Sequence, residues 1–225
     1  MSDTDSFISE VNEEVRRDRF YFLLRRYGWL AALVVVLIVG GAAWTEYNKA
    51  QARAQAEGLG DAIIAALGQG EASSRRAGLA EIGATEAGAQ AVVSLLEAAE
   101  AQENGSTSEA VAALDAVAVN GDIPEIYRQI ANFKSLLLQA DTMDENTRRL
   151  QLGALAAPGA PLSLLAQEQL ALMDVAAGTP TIAIERFQAI LQDASVSADL
   201  QQRALQVIVA LGGTPELDNL PDLGN

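Results

Sequence analysis

Histidine and cysteine are absent from all 225 residues of this chain. Without them no Ser-His-Asp triad, no Cys-His pair, no imidazole general base and no zinc site of the His/Cys type can be assembled. The lack of cysteine fits an exported domain stable without disulfides and equally fits a reducing compartment, so by itself it selects neither. Only Lys49 and Lys134 are available to a Ser-Lys dyad; the first borders a long apolar run and the second falls inside a predicted helix. No Gly-Lys-Ser/Thr phosphate loop occurs. Gly58-Leu59-Gly60 is followed by Ile63 where a dinucleotide fingerprint requires Gly or Ala. These glycines, with Gly68 and Gly70, are expected to loosen a helix and end it. Asp141 to Glu145 lacks the alternating oxygen ligands and central glycine of a calcium loop, and reads as a solvated turn between helices. No catalytic, cofactor-binding or metal-ligating residue is assigned, and the chain is read as non-enzymatic. A hydrolase working through carboxylates alone is the enzymatic alternative.

Cations are scarce as well. The chain carries 15 Lys and Arg against 30 Asp and Glu. Five of those cations (Arg16, Arg17, Arg19, Arg25 and Arg26) precede residue 27, so the acidity concentrates further on. Beyond Trp44 there are 10 Lys and Arg against 24 Asp and Glu, a formal charge of −14. Such a surface repels nucleic acid and anionic headgroups, which rules against DNA or RNA as a partner.

What the chain does have is one long apolar run, Trp29 to Trp44, with no charge inside it. At 1.5 Å per helical residue it reaches about 24 Å, and Tyr27 and Tyr47 extend it with rings suited to the headgroup layer. A transmembrane helix is predicted over 29–47, with Trp29, Leu33, Val36, Ile38 and Trp44 facing lipid. The five arginines before the run outnumber Lys49 and Arg53 after it. That bias predicts a cytoplasmic N-terminus and an exported remainder. A bacterial inner-membrane protein with a periplasmic domain accounts for both the run and the charge asymmetry. Two alternatives compete: a buried core helix, and a cleaved signal peptide with its small residues at Gly41-Ala42-Ala43. The 28-residue leader and Trp44 at the would-be new terminus favour an uncleaved anchor.

Before the span, residues 1–28 read as a cytoplasmic arm. Phe7, Val11, Val15 and Phe22 recur there at roughly helical spacing, suggesting a short amphipathic helix. After the span the chain is rich in Ala, Gln and Glu to Leu67, so the membrane helix is expected to continue outward. Residues 48–211 read as a single all-α periplasmic domain. Helices are predicted near 72–84, 88–103, 107–118, 124–140, 145–156, 162–177, 180–192 and 198–211. They are punctuated by Asn104-Gly105, Asn120-Gly121, Pro158-Gly159 and Gly178-Thr179-Pro180. Residues 212–225 are expected to be a disordered tail. Helices of this length joined by short turns imply antiparallel pairs. Leu170, Ala171, Ala183 and Phe187 occupy the small and large positions of a tetratricopeptide motif, with Ala171 and Ala183 twelve apart. Tyr127 and Ala131 match the first helix of an earlier unit, and Ala110 and Leu114 the second helix of a third. The expectation is an α-solenoid of about three helix pairs, with a plain helical bundle as the alternative.

The stretch Phe7 to Asp18 and the Arg25-Arg26-Tyr27-Gly28 before the span resemble the N-terminal arm of the ancillary SecYEG translocon subunit family, in its alphaproteobacterial branch. Leu155 to Gly159, Ala166 to Leu172 and Ala183 to Arg203 are similar to that family's tetratricopeptide-like domain. The likeness covers nearly the whole chain to about Leu211. Asn104-Gly105-Ser106 and Gly178-Thr179-Pro180 depart from the family's usual Gly-Asp turns. The resemblance implies a single-pass inner-membrane protein whose periplasmic domain associates with the translocon, periplasmic chaperones and emerging clients. A scaffold or assembly factor for another envelope complex, divisome or respiratory, is the rival binding function.

Overall fold

The computed structural model describes the backbone of residues 3–216 and the side chains of residues 25–30 and 33–216. Among the described residues the chain is all α-helix, with no strand. It divides into two compact units, residues 1–58 and 59–225. In the first unit the described backbone belongs to α1 (Asp3–Leu67). The helix runs unbroken through Gly58 and Gly60 and ends before Gly68, so of the four glycines expected to loosen it only the last two lie beyond it. Among the described residues none of its apolar stretch is buried: Trp29 is 64% exposed and Val36 69%. That exposure is what an unpartnered apolar helix shows, and it gives no support to a helix buried in the core of this chain. Among the described residues this is one helix long and apolar enough to cross a membrane. Arg16, Arg17 and Arg19, and the apolar spacing from Phe7 to Phe22, lie outside the described side chains.

The second unit contains the last turns of α1 and then α2 (Ala72–Ala80), α3 (Ala87–Glu103), α4 (Thr107–Val119), α5 (Glu125–Leu138), α6 (Glu145–Leu155), α7 (Ser163–Ala176), α8 (Pro180–Leu191) and α9 (Ala198–Ala210). Local chemistry fixes their ends. Asp144 caps α6 by accepting from the Thr147 N–H at 2.9 Å, and Pro180 supplies the first residue of α8. Gly105 and Gly178, at φ +76° and +72°, close α3 and α7. In each case the next N–H reaches back five residues, Ser106 to the Ala101 carbonyl at 2.8 Å and Thr179 to that of Asp174 at 3.0 Å. A residue with a Cβ is strained in that left-handed conformation, which is why the turns carry glycine. Helix α2 stops at Ala80, four residues short of its expected end, where Ile82 bonds to Leu79 in a tighter turn before Gly83.

From α2 onward each helix packs mainly on its neighbour in sequence, and α3 also meets α5. Superimposed on this is a repeat of 73 residues. Helix α6 starts at 145 against 72 for α2, α8 at 180 against 107 for α4, and α9 at 198 against 125 for α5. Burial repeats with the same step. Ala91, Ala98, Leu114, Val117, Ile123 and Ala131 form one apolar cluster. Leu164, Ala171, Phe187, Ile190, Val196 and Ala204, each 73 residues later, form a second. The step also relates Leu79 and Val93 to Leu152 and Ala166, in two further clusters. Ile63 in the last turns of α1 then stands where Leu136 stands in α5, so the end of α1 acts as the opening helix of the first repeat. Ala131 and Ala171, paired at a spacing of forty by the sequence, are both fully buried. Their true equivalents by helix and burial are Ala204 and Ala98.

Residues 212–216 do not form part of a loose tail. The Gln188 amide nitrogen donates to the Glu216 carbonyl and the Glu216 N–H to the Gln188 amide oxygen, both at 3.0 Å. These two bonds tie the backbone at Glu216 to α8. Residues 217–225 of the expected tail lie outside the described residues.

Candidate protein-binding groove

Most cations of the second unit are already engaged within it. Arg75 of α2 bonds to Glu100 and Glu103 of α3, both at 2.7 Å, and Arg76 reaches Glu109 of α4. Asp174 of α7 is nearly buried and held from both sides, by Arg149 of α6 at 2.7 Å and Arg186 of α8 at 2.6 Å. Arg203 of α9 grips Glu168 of α7 with two parallel bonds at 2.7 and 2.9 Å. These pairs join helices whose apolar faces meet in the clusters described above. A guanidinium suits this role because its fork matches a carboxylate and is always charged. The bonds from Asp174 and Glu145 raise the Arg149 pKa, and the bonds from Glu103 and Glu100 raise that of Arg75.

Glu97 of α3 has no such partner close by. Burial pushes its carboxyl above the ordinary 4.5, with Arg76 pulling it partly back. An acid whose folded pKa is raised weakens the fold above that pKa, where it is charged in both states. Below the ordinary value it is neutral in both states and costs nothing. Glu97→Gln should therefore raise the melting temperature at pH 7, with the gain gone by about pH 4. Melting curves at the two pH values check this, and an equal gain at both would refute the assigned cause.

Between α3, α4 and α5 lies a cavity of about 130 Å³, partly open to solvent. Leu95, Ala98, Ala99 and Gln102 line one wall, Leu114 the floor, and Lys134, Leu137 and Leu138 the other wall. Lys134 and Gln102 are exposed at its rim. Lys134 makes no ion pair among the described residues, in contrast to the arginines above. A shallower depression runs along α6 beside Leu150 and Gly153. No group of three or more carboxylates among the described residues is placed to hold a metal ion.

The residues singled out for repeat packing all lie in the second unit's core. Ala131, Ala171, Ala183 and Phe187 are fully buried, Leu170 is nearly so, and Tyr127 is half-buried against the first cluster. The structure brings Ala171 and Phe187 into one cluster and places Leu170 in another, because neighbouring positions on α7 face different helices. Of the anchor residues, Leu33, Ile38 and Trp44 are exposed along with Trp29 and Val36. Arg25 and Arg26 are exposed, and the Arg26 guanidinium lies 5.9 Å from the Tyr27 ring centre. Sequence reasoning missed Lys134 as a groove residue, together with the buried acids Glu100, Glu168 and Asp174. It also missed Ser135, which is buried and donates to Asp115 at 2.6 Å. The sequence carries a signal for the 73-residue register, the recurrence of Arg75-Arg76-x-x-Leu79 as Arg148-Arg149-x-x-Leu152, but none for these residues, which the repeat does not preserve. Comparisons with protein-family models, curated proteins and solved structures found no match to this chain.

Proposed function

We propose that the chain is a non-enzymatic, membrane-anchored protein-interaction module, an ancillary subunit linking the SecYEG translocon to periplasmic chaperones and emerging clients. The observation that carries this reading is one continuous chain joining an uncovered apolar helix to a domain of repeated helices with an open apolar groove. Packing between sequence neighbours is what an α-solenoid needs, and the buried Ala-and-Phe positions support a tetratricopeptide-like form of it. Such surfaces bind protein segments reversibly and require no chemical step. The arginine bias sets the N-terminus in the cytoplasm and the repeats in the periplasm of a bacterial inner membrane. The resemblance of the arm to the translocon family supplies the partner.

Orientation is tested by a reporter active only in the periplasm, fused after Leu211, which is expected to be active. The mature protein is expected to retain its N-terminus. Changing the five arginines to glutamine should scramble orientation without preventing insertion, and a free N-terminus at Trp44 would replace the anchor with a cleaved leader. The partner is tested by affinity purification from mild detergent. Recovery of the translocon supports the reading, whereas a divisome or respiratory complex in its place moves the chain to the scaffold function.

A further inference from the structure

We propose that the cavity between α3, α4 and α5 is a binding site for the C-terminal residue of a polypeptide, its bulky apolar side chain entering the cavity and its carboxylate meeting Lys134 and Gln102. The proposal deepens the reading of the chain as a protein-binding module and rests on it. The second repeat provides an internal comparison. Seventy-three residues on, Leu114 is replaced by Phe187, which is fully buried in the second cluster. The same step replaces Gln102 with Val175 and Lys134 with Val207, and Leu95 with Glu168, which is taken by Arg203. Each element of the site is thus present in the first repeat and changed in the second: the space, the cation and the polar donor. A cavity of about 150 Å³ lined by aliphatic groups accepts a benzene ring. At about 130 Å³ this one fits a single leucine, methionine or phenylalanine side chain.

The same small size decides where the charge comes from. A site for one side chain with a lysine in its own wall needs the carboxylate and the apolar group on one residue. In a polypeptide only the C-terminal residue carries both. An internal Asp or Glu would sit on a neighbouring residue, whose side chain diverges from the one in the cavity. Lys134 supplies a point charge, and the Gln102 amide can donate to the second carboxylate oxygen. Arg128 and Arg148 also make no ion pair among the described residues, but neither lines this cavity, so Lys134 is the cation that a ligand seated there would meet.

The full chain in lipid nanodiscs is titrated with fluorescent octapeptides of alternating Ser and Gly that end in Phe. One carries a free carboxylate and one a C-terminal amide, and a third is amidated with an internal Phe-Asp. The free acid is expected to bind about tenfold more tightly than either amidated peptide, as loss of one charge-assisted contact implies. Lys134→Gln should remove that preference while leaving the weak binding of the amide unchanged. Leu114→Phe, which copies the second repeat, should abolish binding of all three without lowering the melting temperature. Equal binding of acid and amide, binding of the internal Phe-Asp peptide as tight as that of the free acid, or binding that survives Leu114→Phe would each overturn the proposal. If Leu114→Phe fails to fold, the Lys134→Gln comparison still decides it. Translocon recovery in the purification above tests the broader reading separately, because that result does not depend on the octapeptides.

Discussion

Phe187→Ala is expected to destabilise the repeat domain by about 3–5 kcal/mol, the range for deleting a large aromatic side chain from a packed core. Phe187 is fully buried, and its cluster joins Leu164 and Ala171 of α7 to Ile190 of α8 and Leu200, Ala204 and Ile208 of α9. Removing the ring leaves a void that Leu164, Ile190, Leu200 and Ile208 can fill only in part, because they are already close-packed. The first repeat calibrates the effect. Leucine stands at the equivalent position 114 with a cavity beside it, so Phe187→Leu should be milder than the alanine variant because it removes fewer atoms, yet still cost about 1–2 kcal/mol for the void it leaves. Ala171→Leu should cost about 1–3 kcal/mol by forcing apart the helices that cross at that alanine. Thermal melting of the full chain in detergent, followed by circular dichroism, reads all three. An alanine variant that melts with the parent would remove Phe187 from the core of this domain.

Removing both arginines that hold Asp174 should produce a comparable loss. The carboxylate side chain is only 6% exposed and is bonded by Arg149 from α6 and Arg186 from α8. Either arginine alone can keep the charge compensated, so Arg149→Ala and Arg186→Ala singly are expected to be mild. Together they strand a buried anion, which typically costs about 3–5 kcal/mol. Adding Asp174→Leu to the double variant should recover most of the stability, because an apolar side chain has no charge to desolvate. The diagnostic result is non-additivity. If the double variant costs no more than the two singles summed, water has reached Asp174 and the clamp contributes little.

Several parts of this picture are legible in the chain alone. The apolar run is local information, since an uncharged stretch of sixteen residues with aromatic ends is long and apolar enough to cross a membrane whatever the rest of the chain does. Helix positions are equally local. Ala-rich segments bounded by Asn104-Gly105, Gly178-Thr179-Pro180 and the Asp144 cap carry their start and stop signals within a few residues. The lack of histidine and cysteine removed whole classes of chemistry by the same local reasoning. Even Ala171, Ala183 and Phe187 could be placed, because a small residue at a close crossing and a large one beside it leave a sequence trace.

Other features were decided only by the tertiary structure. Which helix each alanine meets depends on packing, and alanine spacing fits many registers; the sequence therefore favoured a step of forty where packing uses 73. The arginines could not be matched to acids in advance, because Arg75 finds Glu100 and Arg203 finds Glu168 across two helices rather than along one. The sequence placed Lys134 only inside a helix; that it lines a cavity with Leu114 and Gln102 follows from the packing of α3, α4 and α5. The tie between Glu216 and Gln188 spans 28 residues, so nothing near Gly212 could announce it. Local signals set where helices begin and end, whereas the choice of partner is an energy shared among residues far apart in the chain. That choice exists only once the chain has folded.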